Sequence, residues 1–326
     1  MMALLRIGIG LALIGLVLWL RGGTGDVSHA LEAAGWTTIA AASAYHLISV
    51  TMCGTAWRSL MKDPPRRATT SFIFARWVRD AVGQLLPLLP LGGEVAGARV
   101  VATRGVPGTE AAALTIVDIT AEVLSQAAFS LIGVVLWLRL DPAGGLLGPA
   151  GIGIALSVLM LGGLILAQKL GIVRLLERLA DKIMPAAWRQ PGLSAPIHDR
   201  ILVLYTHRRR FARATLIHLA AWIVSTGEAW IILRMIGHPL PITDVIALES
   251  VVYAIRNAAF LVPGALGVQE GAYMLVGAAL GLPSEAALAV SLIKRGREVT
   301  LGIPALLSWQ WLSHRRSRAE AANPAE

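Results

Sequence analysis

Two short stretches, PLLPLGGE at residues 87–94 and PGALGVQE at residues 263–270, interrupt an otherwise apolar chain with proline, glycine and a single glutamate. The second stretch follows the first at an offset of 176 residues. Because proline and glycine break helices, each stretch predicts a break in the backbone with a carboxylate beside it. Irregular backbone of this kind is tolerated at membrane depth only where it is buried in protein or lines a wet cavity.

The same offset superposes other unusual positions. Three pairs of prolines or glutamates coincide under it: Pro87 with Pro263, Glu94 with Glu270, and Glu122 with Glu298. An arginine also precedes each break by seven or eight residues. These matches predict an internal repeat, with repeat 1 at about 36–138 and repeat 2 at about 214–312.

The composition is that of a membrane protein. Of the 326 residues, 56% are hydrophobic and 15% are charged, and the mean hydropathy is +0.66. Soluble domains carry about 25% charged residues, so this chain has too little polar surface for a soluble globule. We therefore expect residues 1–326 to form a single membrane domain, all-α and polytopic.

Six apolar runs are long enough to cross a bilayer core, which takes about 20 residues. They lie at 3–20, 36–57, 111–138, 145–167, 214–236 and 286–312. Two less regular stretches, 69–104 and 244–283, contain the proline and glycine breaks. We expect these two stretches to enter the membrane and return as re-entrant helical hairpins.

Basic residues predict the orientation of the spans. Lysine and arginine are concentrated after the second span, in the segment 168–213 and in the tail 313–326, and such an excess marks cytoplasmic loops. All three groups lie on one side only if there are six full spans and neither irregular stretch crosses, which makes both termini cytoplasmic. Three full spans then separate the hairpins. Because three is an odd number, the hairpins have opposite orientations, as in an inverted-repeat transporter.

Charged side chains at membrane depth are costly and by default functional. The cations that we predict to bind a polar head group are Arg79, Arg256, Arg295 and Arg297. The carboxylates that we predict to exchange an ion or a proton, or to pair with arginine, are Glu94, Glu270, Asp118, Glu122 and Glu298. The residues that we predict to form the breaks are Pro87, Gly92, Gly93, Pro263, Gly264 and Gly267. The alternative is a structural ion-pair network that only pins the helices together.

The acidic and basic residues form stripes on two predicted spans. Asp118 and Glu122 share one helix face, and Lys294 shares a face with Glu298 on the last span. With Arg295 and Arg297 beside them, the two stripes carry opposite charge, so we expect them to face each other across the interface between repeats. Arg79 and Arg256 are the expected partners of Glu94 and Glu270, and Glu249 is a candidate cap for the second hairpin.

Other chemistry has no signal in the sequence. The single cysteine, Cys53, excludes an intrachain disulfide and a cysteine-based zinc site. The chain contains no P-loop, nucleophile elbow or dinucleotide fingerprint. We expect no enzymatic activity, no cofactor, no metal and no nucleic-acid partner, although a lipid-modifying enzyme that uses the carboxylates as acid and base remains a minor alternative.

The motifs around both breaks resemble those of a known family. The pattern Arg79-x7-Pro87-x6-Glu94, the run from Pro263 to Glu270 and the motif Arg295-Gly-Arg297-Glu298 are similar to the membrane domain of lysylphosphatidylglycerol synthase-type, or flippase-like, proteins. The residue patterns of both motifs most resemble the branch of this family that is associated with hopanoid biosynthesis. The resemblance implies a multi-pass protein of the bacterial inner membrane that moves or helps move a lipid between leaflets, and we expect it to lack the cytosolic aminoacyltransferase domain of the name-giving synthases.

Two functions are consistent with these features. The first is a lipid translocase in which the hairpins and stripes form a polar groove for a lipid head group, with a hopanoid-related lipid as one candidate. The second is a non-catalytic scaffold that docks lipid-biosynthesis enzymes through the cytoplasmic basic segment 168–213. That segment reads either as an amphipathic helix on an anionic leaflet or as a solvated linker.

Overall fold

The computed structural model describes residues 24–64, 68–86, 91–140, 162–163, 166, 197–258, 265 and 267–322. The long elements in these ranges are all helices, which confirms the all-α class. They are α1 (Thr24–Ser59), α2 (Ala68–Leu85), α3 (Gly92–Ala102), α4 (Gly108–Leu140), α5 (Ile197–Thr206), α6 (Arg208–Met235), α7 (Ile242–Ala258), α8 (Val268–Ala279) and α9 (Ser284–Ala322).

In the part of the chain that the structure describes, three helices are long and apolar enough to cross a membrane: Gly35–Ser59, Gly108–Trp137 and Arg208–Met235. They coincide with the predicted spans 36–57, 111–138 and 214–236. The predicted span 286–312 lies within α9, which also carries charged residues at its centre. The predicted span 3–20, most of 145–167 and most of the basic segment 168–213 lie outside the described residues. The number of crossings and the side of each terminus therefore stay predictions.

Both irregular stretches are helical hairpins. In the first, Gly93 of α3 lies against the carbonyl of Arg79, and Gly97, one turn later, lies against that of Ala75. The contact moves backwards along α2 as it moves forwards along α3, so the two helices are antiparallel. At about 1.5 Å per residue, the 11 residues of α3 extend only about 17 Å, which is too short to cross a bilayer core.

The second hairpin, α7 and α8, has the same form. Arg256 near the end of α7 bonds Gln269 at the start of α8, while Glu249 in the middle of α7 bonds Tyr273. The 12-residue α8 is again too short to span a membrane. The lengths of both hairpins fit re-entrant elements, and their depth in the membrane stays a prediction.

The helix boundaries repeat at the sequence offset. Three pairs of boundaries differ by 176 positions: the starts of α3 and α8 at Gly92 and Val268, the starts of α4 and α9 at Gly108 and Ser284, and the ends of α1 and α6 at Ser59 and Met235. The corresponding helices α1 and α6 are antiparallel, because Tyr45 bonds Val224 whereas Met52, further along α1, shares a groove with Leu216. This is the relation that an inverted repeat requires.

Each hairpin packs on the long helix of the opposite half. A Cβ added to Gly302 of α9 would lie 2.6 Å from the Leu85 side chain at the end of α2. A Cβ added to Gly133 of α4 would overlap the Ser250 side chain on α7. The two halves are therefore interlocked, and the charged residues lie where they meet.

Candidate functional site

A cavity of about 430 Å³ lies at the meeting of the two halves. Seven of the described helices contribute to its wall, including both hairpins and both helices of the α1/α6 pair. Its charged wall residues are Arg76, Arg79, Asp80, Glu94, Glu122, Arg256, Arg297 and Glu298, with His46 and His218 beside them. The volume lies within the usual range of small-molecule sites, but the wall is far more polar than most such sites.

Two arginines on α2 attach the first hairpin to α4. Arg76 binds Glu122 through both terminal nitrogens, at 3.0 and 2.8 Å, and its Nε donates to Asp80 at 2.9 Å. Arg79 donates to Asp118 and to Glu122, each at 3.0 Å. Bidentate arginine–carboxylate contacts fix both distance and angle, so these bonds set how α2 lies on α4.

A histidine from the other half extends this cluster. His218 of α6 lies 2.9 Å from the second oxygen of Asp118, and both side chains are fully buried. The remaining histidine nitrogen, Nδ1, has no hydrogen-bond partner among the described residues, although His218 lines the cavity. Cys53, which interacts with the His218 ring, lines the same cavity, so this nitrogen lies beside both a thiol and the cavity.

A second cluster connects α1, α6 and α9. Arg297 donates to Glu228 at 3.1 Å and lies 3.4 Å from His46, which contacts Glu228 at 2.9 Å. Arg297 and His46 line the cavity, whereas Glu228 lies behind them. The contacts cross between the two halves, because α1 belongs to the first and the other two helices to the second.

A third cluster is sealed inside the second half. Glu249 accepts from Tyr273 and Lys294, and all three side chains are buried. None of the three is among the residues that line the cavity. Glu249 lies in the middle of α7, so the prediction that it caps the second hairpin is wrong.

Two charged wall residues are held more loosely than the others. The nearest basic group to Glu94 is Arg79, at 3.7 Å, and the Glu94 side chain is 30% exposed. Arg256 donates to the neutral amide oxygen of Gln269 at 2.8 Å, and its nearest carboxylate, Glu298, is 3.8 Å away. The Arg256 side chain is 26% exposed. These two side chains can therefore change partners at the smallest cost.

The structure brings six of the nine predicted charged site residues to the cavity wall: Arg79, Arg256, Arg297, Glu94, Glu122 and Glu298. The other three have different surroundings. Asp118 is behind the wall, bonded to Arg79 and His218. Glu270 accepts from the Gly267 amide at 2.7 Å and caps α8, and Arg295 bonds it from the side.

Glu270 and the stripes depart from the expected pairings. The close basic neighbour of Glu270 is Arg295, at 3.3 Å, rather than Arg256. Among the described residues, the two stripes bind other helices rather than each other. The α4 carboxylates bind side chains of α2 and α6, whereas the α9 cations bind carboxylates of α6, α7, α8 and α9 itself. The stripes do share the cavity, through Glu122 on one side and Arg297 and Glu298 on the other.

The predicted breaks are described only in part. Gly92 begins α3, Gly93 allows its close contact with α2, and Gly267, at φ +77°, precedes α8. This φ is in the left-handed region that favours glycine. Pro87, Pro263 and Gly264 lie outside the described residues.

Sequence reasoning missed Arg76, although it carries the strongest contact in the first half. The spacing of Arg76, Arg79 and Asp80, three and four residues apart on one predicted helix, was a signal that could have identified it. It also missed a symmetric serine pair, Ser49 and Ser225, which are 176 positions apart and both line the cavity. The Ser49 hydroxyl has no partner among the described residues.

Comparison with known families agrees with this architecture. Residues 4–305 match the family model described as the lysylphosphatidylglycerol synthase TM region. The match covers most of the chain, and the protein therefore belongs to this family of membrane proteins, of the lipid-related, flippase-like type. Searches of curated proteins and of solved structures gave no significant match.

Proposed function

We propose that this protein is a lipid translocase without enzymatic activity, which passes a polar lipid head group through the cavity between its two halves. The observation that carries the proposal is the cavity itself, with four arginines and four carboxylates on its wall. Charges at membrane depth are costly, and a structural network needs no space between its members. About 430 Å³ of space beside these groups is what a head group would use.

The two-part architecture supplies a route for alternating access. The cavity wall combines helices from both halves, and each half holds a hairpin of similar length. In inverted-repeat transporters, rocking of one half against the other opens a central site to each side in turn. The apolar tails would stay in lipid while the head group crosses. In this proposal the protein acts in the inner membrane of a bacterial cell, and hopanoid-type lipids are one candidate cargo.

Ion-pair exchange gives a mechanism for the movement. A head group that binds Arg256 or Glu94 replaces a long ion pair, at 3.8 or 3.7 Å, whereas the short ion pairs of Arg76 and Arg297 stay in place. The firmly paired residues then hold the shape of the cavity while the loosely paired ones handle the cargo. This division assigns different roles to equivalent carboxylates, because Glu94 lines the cavity and Glu270 caps a helix.

The test is lipid movement in proteoliposomes. The wild-type protein is reconstituted into liposomes that contain fluorescent phospholipids in both leaflets. Dithionite quenches the label in the outer leaflet, so further loss of fluorescence measures lipid transfer from the inner leaflet. We expect Glu94→Gln to slow transfer without lowering the melting temperature in detergent. Glu270→Gln should lower the melting temperature, because it removes the cap of α8. Glu285→Gln is the matched control, because Glu285 is exposed and lies outside the cavity. Equal rates for the wild type and the Glu94→Gln/Glu270→Gln double variant would overturn the mechanism.

A further inference from the structure

The four arginines on the cavity wall are not equally available. Arg76, Arg79 and Arg297 each have a carboxylate oxygen within about 3 Å, at 2.8, 3.0 and 3.1 Å. Arg256 instead bonds a neutral amide and has its nearest carboxylate at 3.8 Å. A guanidinium in this position retains most of its capacity to bind an anion, and its planar fork fits phosphate.

The four carboxylates show the same inequality with the opposite charge. Asp80, Glu122 and Glu298 have basic partners at 2.9, 2.8 and 3.1 Å. Among the described residues, the basic partner of Glu94 is Arg79 at 3.7 Å, and Arg79 already donates to two other carboxylates. Glu94 lies in the first turn of the short helix α3 of the first hairpin, while Arg256 lies in the last turn of α7, the first helix of the second. The cavity thus offers one available anion and one available cation, one from each hairpin.

We infer that the cavity binds a zwitterionic head group, with a phosphate on Arg256 and an ammonium on Glu94. This inference rests on the proposed function and names its substrate class. Among the described wall residues, Arg256 and Glu94 are the arginine and the carboxylate without a close partner of opposite charge, so a head group with a single charge would leave one of them unpaired in a partly desolvated site. A purely anionic head group leaves Glu94 unpaired, and a purely cationic one leaves Arg256 in its weak contact. A phosphate joined to an ammonium satisfies both.

Binding can be tested without transport. The native chain has one cysteine, Cys53, and it lines the cavity. The rate of Cys53 alkylation by N-ethylmaleimide and the melting temperature are measured in detergent with phosphoethanolamine, glycerol phosphate or ethanolamine. We expect phosphoethanolamine to slow alkylation and raise the melting temperature at a concentration about tenfold lower than either glycerol phosphate, which lacks the ammonium, or ethanolamine, which lacks the phosphate, as the loss of one charge-assisted bond predicts.

Transport selectivity is tested in the same liposomes. Phosphatidylethanolamine and phosphatidylglycerol with identical labelled acyl chains share the phosphodiester and differ in the head-group alcohol, which is ethanolamine with its ammonium in the first and uncharged glycerol in the second. We expect the wild type to move the zwitterionic lipid about tenfold faster, and Glu94→Gln to remove that preference by slowing only the zwitterion. Arg256→Gln should slow both lipids. Glu285→Gln and Arg234→Gln, two exposed positions outside the cavity, are the matched controls.

The outcomes separate the inference from the proposed function. If both lipids cross at equal rates, or the anionic lipid crosses faster, the zwitterion site is wrong and translocation stands. If no lipid crosses but phosphoethanolamine alone protects Cys53, the zwitterion site stands and translocation is wrong. If the three analogues give equal effects and Glu94→Gln leaves the lipid preference unchanged, the inference is overturned.

Discussion

The buried charges of this protein have two separate roles, which the partners of each residue distinguish. Glu249, Lys294 and Tyr273 bond one another away from the cavity, so their charges serve packing. Glu94 and Arg256 lie on the cavity wall with weak internal partners, so their charges are available to a ligand. The distance to the nearest group of opposite charge separates these roles, because Glu94 and Arg256 have theirs at 3.7 and 3.8 Å whereas Glu249 and Lys294 are directly paired.

The sealed cluster gives the first prediction. Glu249→Met leaves the Lys294 ammonium buried without its carboxylate, and breaking a buried pair costs about 3–5 kcal/mol. We therefore expect a clear fall in the melting temperature of the purified protein. Replacing a whole buried ionic group by apolar residues is often neutral, so the triple variant Glu249→Met/Tyr273→Phe/Lys294→Met should recover much of the loss. A triple variant that melts below the single one would contradict this account.

The difference between Glu94 and Glu270 also shows where sequence reasoning ends. The sequence places both after a proline–glycine break at one offset, and this correctly predicts two hairpins with a carboxylate beside each break. It does not predict that Glu270 bonds the Gly267 amide whereas Glu94 faces the cavity. That difference depends on neighbours from distant helices, such as Arg295 on α9.

At the scale of elements, the first hairpin depends on close contact between α2 and α3. A Cβ at Gly93 would lie 2.5 Å from the Arg79 carbonyl oxygen and 3.3 Å from the Gly83 nitrogen. Both of these atoms belong to the backbone, so neither helix can relieve the contact by turning a side chain. Because Arg79 also bonds Asp118 on α4, a displaced α3 disturbs the ion pairs as well.

Gly93→Ala should therefore destabilise the protein by about 1–3 kcal/mol, the usual cost of overpacking a close contact. Gly271→Ala on α8 is the matched control, because a Cβ there meets nothing within 4 Å. Alanine is the better helix former by about 1 kcal/mol, so the control should melt at the same temperature or slightly higher. Thermal unfolding in one detergent measures both variants, and equal losses in the two would contradict tight packing in the first hairpin.

The helix pattern was more predictable from sequence than the pairing of the helices. Hydrophobic run length and the breaks predicted the three long apolar helices and both hairpins, because these are local properties. The interlocking of α2 with α9 and of α7 with α4 depends on small residues such as Gly302 and Gly133, which make room for the opposite half. The alternation of apolar and polar residues carries no information about which partner such a glycine meets.

At the scale of the whole molecule, the two halves stabilise one polar interior. Each hairpin packs on the long helix of the other half, and the Arg297, Glu228 and His46 cluster crosses between the halves. Corresponding helices α1 and α6 are antiparallel. We therefore predict that equivalent turns of the two halves lie on opposite sides of the membrane.

The last prediction tests that inversion directly. The turn before α4 contains exposed Arg104, and the turn before α9 leads to exposed Glu285, near the equivalent position in the repeat. Arg104→Cys and Glu285→Cys, each in a Cys53→Ala background, are treated with a membrane-impermeant maleimide in intact spheroplasts and again after lysis. We expect Glu285→Cys to react in intact cells and Arg104→Cys only after lysis, because the positive-inside rule places the first turn in the cytoplasm.

The tail gives that experiment its internal reference. His314→Cys, at an exposed position of α9 beside Arg315, should behave like Arg104→Cys, since both termini are predicted to be cytoplasmic. If Arg104→Cys and Glu285→Cys become accessible from the same side, the two halves are parallel and the six-span count is wrong. If both turns and the tail are labelled in intact spheroplasts, the two turns lie on the same side and the tail lies outside the cell. The inversion and the orientation deduced from the basic residues are then both wrong. Opposite labelling of the two turns, with the tail on the Arg104 side, is the pattern that only inverted halves with an odd number of crossings between the hairpins produce.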